Sequence, residues 1–163
     1  MSDHDPEQGA ARANLCRFLA ACHYEPGPEF AEEKLFDSMQ DAARRLDPDF
    51  AARAKRLGEA FAVTDPETLL VDYTRPFLGP ANALAKPCGS VWLGGEATLM
   101  QDSTMDVLGL YREGGFDLDE GFRELPDHVA AELEFLYLLL YRENEAHRNG
   151  DVDALMATTS LRQ

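Results

Sequence analysis

The segment Glu124-Leu125-Pro126-Asp127-His128 is where the residue types of this chain first invite chemistry. A carboxylate beside an imidazole has two readings. In the first, Asp127 caps a following helix and His128 rides its first turn. In the second, the pair stands at the mouth of a cleft and accepts hydrogen bonds from a ligand, and a cationic ligand suits the carboxylate. As an acid–base pair they would serve a small hydrolase only beside a nucleophile or a metal. No GxSxG, phosphate-cradling glycine loop, CxxC or HExxH motif supplies one. His128 and Glu132, and Glu143 and His147, share helix faces at four-residue spacing, but two mixed ligands are too few for a metal site. Cys16 and Cys22 read as core. Cys88 falls in an irregular loop that can expose it, and nothing nearby in sequence would lower its thiol pKa.

A second set is aromatic. Tyr73 and Phe77 lie four apart on one helix face, and Trp92, the single tryptophan, falls in irregular backbone beyond Gly79-Pro80. Core packing explains such a pair. Apolar anchors beside loops are also what peptide grooves use.

The elements that must position these residues are helical. Leu15, Phe18, Leu19 and Cys22 form one stripe, ended by Glu25-Pro26-Gly27. Pro28 suits the first turn of a helix that carries Phe30, Leu35, Phe36, Met39 and Ala43. Asp47-Pro48 and Asp65-Pro66 each read as an N-cap followed by proline at the first helical position. Pro76 should kink or end the second of these helices. Residues 79–96 carry glycines and prolines around the triplet Val91-Trp92-Leu93 and read as a long irregular loop. Helix resumes near Leu99 and stops at Gly114-Gly115. Asp127 then opens the most apolar helix, expected to be buried and central from Val129 to Tyr141. Asn149-Gly150 ends it, and a short amphipathic helix with Leu155, Met156 and Leu161 follows. The expected fold is all-α, one compact multi-helix domain over residues 1–163.

Charge narrows the partners. Fifteen Lys and Arg stand against 30 Asp and Glu, a formal net charge of -15. That balance disfavours nucleic acid and an anionic membrane surface. The longest apolar run, Phe135 to Tyr141, is far short of the roughly 20 residues that span a bilayer. Three cysteines and an acidic, polar start suit a reducing cytoplasm. From Glu113 to Asp153 twelve acids face three arginines, so the imbalance gathers around Asp127.

Taken in order, Leu70-Val71-Asp72-Tyr73-Thr74-Arg75-Pro76-Phe77-Leu78-Gly79-Pro80, Pro87-Cys88-Gly89-Ser90-Val91-Trp92-Leu93, Tyr111, Gly114-Gly115 and Leu125-Pro126-Asp127-His128 with Glu132-Leu133-Glu134-Phe135-Leu136 resemble the TorD/DmsD/NarJ family of redox-enzyme maturation chaperones. The similarity covers most of residues 12–148. It implies an all-helical fold, no catalysis and no cofactor of the chain's own. It implies a cytoplasmic protein that binds the twin-arginine signal peptide of a molybdopterin oxidoreductase catalytic subunit until the molybdenum cofactor is inserted. By the same resemblance Leu70, Tyr73, Phe77, Trp92, Leu125, Asp127, His128 and Glu132 lie at the peptide site. Two departures stand out. Pro126 adjoins Asp127, as in the nitrate-reductase-chaperone branch, and relatives usually continue past Gln163 with further helix. Apolar surface uncovered there would favour a homodimer. The competing readings are a helical adaptor or dimerisation module, in which these residues only cap and pack, and the hydrolase that uses Asp127 and His128.

Overall fold

Aspartate caps set the helix starts. Asp5, Asp47, Asp65 and Asp151 each accept backbone N–H bonds from the turn that follows, and proline occupies the first turn after the first three. A cap oxygen satisfies an N–H that the helix itself leaves unpaired. The Asp5-Pro6 start has the same chemistry as the two expected pairs, but its surroundings are polar and the apolar stripe begins only later.

The computed structural model describes residues 5–79, 84–93 and 102–162. Among these are nine helices: α1 Pro6–Ala21, α2 Glu29–Glu32, α3 Leu35–Arg44, α4 Pro48–Val63, α5 Pro66–Phe77, α6 Ser90–Leu93, α7 Asp102–Glu113, α8 Val129–Asn149 and α9 Val152–Leu161. The fold is all-α. The one extended pairing among the described residues is an isolated antiparallel bridge between Cys88 and His128. The expected positions Pro80, Gly94, Gly95, Glu96 and Leu99 lie outside the described residues.

The helices pack as a row: α9 on α8, α8 on α1, α1 on α3 and α3 on α4. Small side chains let the backbones approach. Ala11, Ala13 and Ala20 of α1 and Ala130, Ala131 and Ala146 of α8 are buried. The main apolar cluster joins Ala11 and Phe18 to Phe30, Leu35, Met39 and Ala54. Removing side chains of the size of Phe18 and Met39 from water contributes about 1.5–3 kcal/mol each.

Three expectations change. The stripe from Phe30 to Ala43 is two helices, because Lys34 adopts a left-handed backbone with φ 51° between α2 and α3. Val91-Trp92-Leu93 lies in the short helix α6, not in irregular loop. And α8, although central, buries Leu139 while Tyr141 is exposed and most of its other large side chains are half-buried. Among the described residues the row of helices leaves part of α8 uncovered, so an almost wholly apolar segment is not wholly enclosed.

Beyond its start, α8 is braced by aromatic residues from α7 and the turn after it. Phe135 packs at a tilt against Tyr111 and meets Phe116 edge-on, with centroids 4.7 and 5.7 Å apart. The Arg142 guanidinium lies 3.8 Å over the Phe116 ring and donates to the carbonyl of Gly114. A Cβ on Gly114 would lie 3.0 Å from Phe135, so this turn requires glycine for close approach.

The Lys34 linkage gives a stability prediction. A left-handed backbone costs a side-chain-bearing residue about 1 kcal/mol. Lys34→Gly should therefore raise stability by about 0.5–1 kcal/mol in chemical denaturation, and Lys34→Val should lower it. Equal stabilities for the three chains would remove the strain.

Candidate functional site

Two short segments, distant in sequence, are sewn together here. The Gly89 N–H donates to the Asp127 carbonyl at 2.9 Å, and the Val129 N–H donates to the Pro87 carbonyl at 2.7 Å. The Ser90 N–H donates to Asp127 Oδ2 at 2.6 Å. Asp127 thus accepts through both its main chain and its side chain, and it holds the start of α6 against the entry to α8. The Tyr111 hydroxyl adds a 2.8 Å bond to the Pro126 carbonyl.

The cap of α8 is not Asp127. His128 takes that position, and its Nδ1 accepts from the Ala130 N–H at 3.1 Å. The ring is 2% exposed and lies parallel to Tyr24, with centroids 6.0 Å apart. The Asp127 carboxylate and the His128 ring are therefore spent on different backbone donors. The imidazole sits in the wall, and the carboxylate beneath the adjoining cleft.

That cleft, about 370 Å³, is lined by His23, Phe77, Lys86, Trp92, Asp127 and Glu132, with Cys88 and Gly89 between. Asp127 is 1% exposed, and its Oδ1 is buried with no hydrogen-bond partner among the described residues. A buried carboxylate oxygen left without a donor carries a substantial desolvation cost. Glu132 stands beside it at the exposed rim. Burial, and then the Asp127 charge, push the Glu132 carboxyl above its ordinary range. Burial, with the Asp127, Glu124 and Glu132 charges adding, raises the Cys88 thiol to about 11. Cys88 is 8% exposed, so the expected open cysteine is a buried and unreactive one.

A second cavity of about 350 Å³ adjoins through Phe77. Its lining is mostly apolar and includes Leu19, Cys22, Phe30, Phe61, Leu69 and Tyr73. Helix α5 closes one side without burying any residue of its own. It is held by the Tyr73 hydroxyl, which donates to the His23 carbonyl at 3.2 Å, and by Phe77 against the His23 ring.

The expected site residues therefore divide. Phe77, Trp92, Asp127 and Glu132 line the acidic cleft, and Tyr73 and Phe77 line the apolar cavity. Leu70 is 40% exposed on α5, and its neighbour Leu69 is the one that faces the cavity. Leu125 is half-buried in the turn ahead of Asp127 and accepts the His128 N–H through its carbonyl. Trp92 is 65% exposed, and its indole N–H donates to the Lys86 carbonyl at 2.9 Å, which fixes the ring at the rim. Sequence reasoning missed His23, Tyr24 and Lys86. The pair His23-Tyr24, two ring residues just after the last apolar position of α1, was the available signal.

The cap predicts a pH effect. Burial holds the His128 imidazole below its ordinary 6.5, with His23 adding to the depression and Glu124 and Asp127 opposing it. The unfolded chain takes up the proton first as pH falls. Stability from this group is therefore complete above the ordinary value and is lost as pH falls through 6.5 and below. A proton on Nδ1 also ends its role as acceptor. His128→Asn retains a capping oxygen that does not titrate. Its melting temperature should fall less over that range than that of the natural chain, and parallel curves would contradict the assignment.

Comparison with known proteins places the chain in a family. The chain is 33% identical over 97 residues to the Tat proofreading chaperone DmsD of Salmonella typhi, which is 60% of this chain and 46% of that one. It is 28% identical over 109 residues to the chaperone protein TorD of Vibrio parahaemolyticus, 67% of this chain and 45% of that one. The chain thus spans about half the length of the curated relatives it matches. A crystal structure from Archaeoglobus fulgidus, described as belonging to redox enzyme maturation, superposes with a TM-score of 0.52 at 16% identity. It covers 99% of this chain and 94% of that one, a likeness of fold. The family described as the nitrate reductase delta subunit matches residues 43–162. With well over half of its length matched, the chain belongs to that family, the TorD/DmsD/NarJ group of maturation chaperones.

Proposed function

We propose that the chain is a cytoplasmic, non-catalytic chaperone. It binds the N-terminal twin-arginine signal peptide of a molybdopterin oxidoreductase catalytic subunit and retains that subunit until its cofactor is inserted. One observation carries the reading. An acidic cleft, floored by an Asp127 oxygen without a donor among the described residues, adjoins an apolar cavity through the ring of Phe77. A twin-arginine peptide is a cationic start followed by an apolar run, and these two chambers match its two parts. Arginine brings five donors and a charge that acidic groups at the rim attract. The net charge of -15 draws such a peptide from a distance.

The roles within the cleft differ. Glu132 is exposed at the rim and meets the cation directly. Asp127 acts mainly as a buried negative floor that also secures the loop. The hydrolase reading gains nothing from this arrangement, because the Asp127 carboxylate serves Ser90 and His128 Nδ1 serves Ala130. The family membership and the DmsD and TorD relatives support the chaperone reading. No described helix is long and apolar enough to cross a membrane.

Titration with a synthetic peptide of paired arginines and a leucine-rich run tests this. Glu132→Gln should weaken binding several-fold with little change in stability, as for one partly exposed charge-assisted contact of about 1–2 kcal/mol. Asp127→Asn keeps an acceptor for Ser90 and should also weaken binding at low salt, less so at high salt. Asp127→Ala frees the Ser90 N–H and should cost about 1–3 kcal/mol of stability. Because its carboxyl is raised, Glu132 loses charge first on acidification, so natural-chain affinity should fall with pH before that of Glu132→Gln does. Unchanged affinity in both charge-removing variants at low salt would overturn the reading.

A further inference from the structure

Three acceptors of the acidic cleft have no donor among the described residues. Two are known already: the buried Asp127 Oδ1 and the carboxylate of Glu132, which forms no ion pair there. The third is on His23, which the resemblance does not mark. Its Nδ1 lies 2.8 Å from the Leu19 carbonyl. A carbonyl only accepts, so Nδ1 carries the hydrogen, and the neutral ring keeps a lone pair on Nε2. No described residue donates to that Nε2. The ring is held in place, because it packs against Phe77 at 6.2 Å while the His23 carbonyl receives the Tyr73 hydroxyl.

The same cleft carries a cation of its own. Lys86 lines it, half-buried, and forms no ion pair among the described residues, so its ammonium is not spent on Asp127 or Glu132. Its charge reaches Cys88 in the lining. Two carboxylates against one ammonium leave the cleft room for one further cation, and a second would face Lys86 with nothing to offset it. Phe77 and Trp92 add flat apolar faces to the same space. A planar guanidinium stacks on such faces, and a compact ammonium matches them less well.

We propose that the cleft seats one guanidinium, not two, and that His23 is the residue that tells arginine from lysine there. The seated arginine spends its N–H groups on Asp127 Oδ1, Glu132 and His23 Nε2, which five donors in one plane can serve together. A lysine in its place keeps the charge and loses the plane. The other arginine of the pair stays outside, because Lys86 holds the remaining wall. This rests on the signal-peptide reading and adds to it the kind of group that is read and the number of them.

The test uses four synthetic peptides that share a leucine-rich run and begin with Arg-Arg, Arg-Lys, Lys-Arg or Lys-Lys. On the natural chain one of the two single replacements should weaken binding about tenfold and the other by less than about twofold. This comparison tests the single seat without any change to the protein. His23→Phe keeps a ring against Phe77 and leaves the main-chain carbonyl for Tyr73. It should weaken the Arg-Arg peptide about fivefold and the Lys-Lys peptide hardly at all, whereas a merely structural role would weaken both alike. His23→Gln restores an acceptor and should recover part of the preference for arginine. In Lys86→Met the tolerated arginine should begin to matter, so its replacement by glutamine should cost more affinity than it does in the natural chain. Equal losses for the two single replacements overturn the single seat. A preference for arginine unchanged in His23→Phe and His23→Gln overturns the role of His23. Either result leaves the signal-peptide reading standing, and absence of binding by every peptide overturns that reading as well.

Discussion

The carboxylate of Asp127 bonded to the Ser90 N–H is the contact on which the site depends. Nothing in the helix row alone requires residues 87–93 to lie beside the start of α8. Three backbone donors bring them there, from Gly89, Ser90 and Val129, and Asp127 receives two of them. With that seam in place, Trp92 stands at the rim, Glu132 faces it from the first turn of α8, and a cleft exists. With it open, the same side chains would hang on separate segments. The seam also accounts for the burial of Cys88 and His128, which face each other across the isolated bridge.

Such an arrangement sets stability against readiness to bind. A buried carboxylate with one oxygen unpartnered is a cost that an apolar residue of similar size would not carry. It persists beside a second acid, Glu132, whose proton affinity is raised by its burial and then by Asp127. On the proposed reading a ligand cation would relieve both at once, so part of the binding energy would be held ready in the free protein. Helix α5 belongs to the same economy of contacts. Among the described residues it buries none of its own, is held by the Tyr73 bond to the His23 carbonyl, the Ala85 N–H bond to the Pro76 carbonyl and ring contacts, and walls the apolar chamber. A loosely held wall can adjust to apolar runs of different shape.

Most of the fold was legible because its determinants are local. Where Asp-Pro starts, glycine stops and a 3.6-residue stripe coincide they fix a helix within a few residues, and they marked α4, α5 and α8. What was not legible depended on tertiary context. Lys34 breaks a continuous stripe because the left-handed turn lets α2 and α3 pack separately, and no local residue announces it. The cap of α8 moved from Asp127 to His128 because a carboxylate can serve a backbone donor 37 residues away as readily as one nearby. Of the residues that the resemblance marks, Phe77, Trp92, Asp127 and Glu132 line the cleft, whereas His23 and Lys86 enter it only through the packing of α1 against α8 and the turn before α6.

Amide hydrogen exchange at Gly89, Ser90 and Val129 probes the seam most directly. In the free protein these three amides should exchange much more slowly than those of the neighbouring residues 117–121. They should slow further when a twin-arginine peptide is added, because a cation in the cleft closes it on its floor. Exchange as fast as in an open loop, unchanged by a peptide shown independently to bind, would contradict a site built on Asp127.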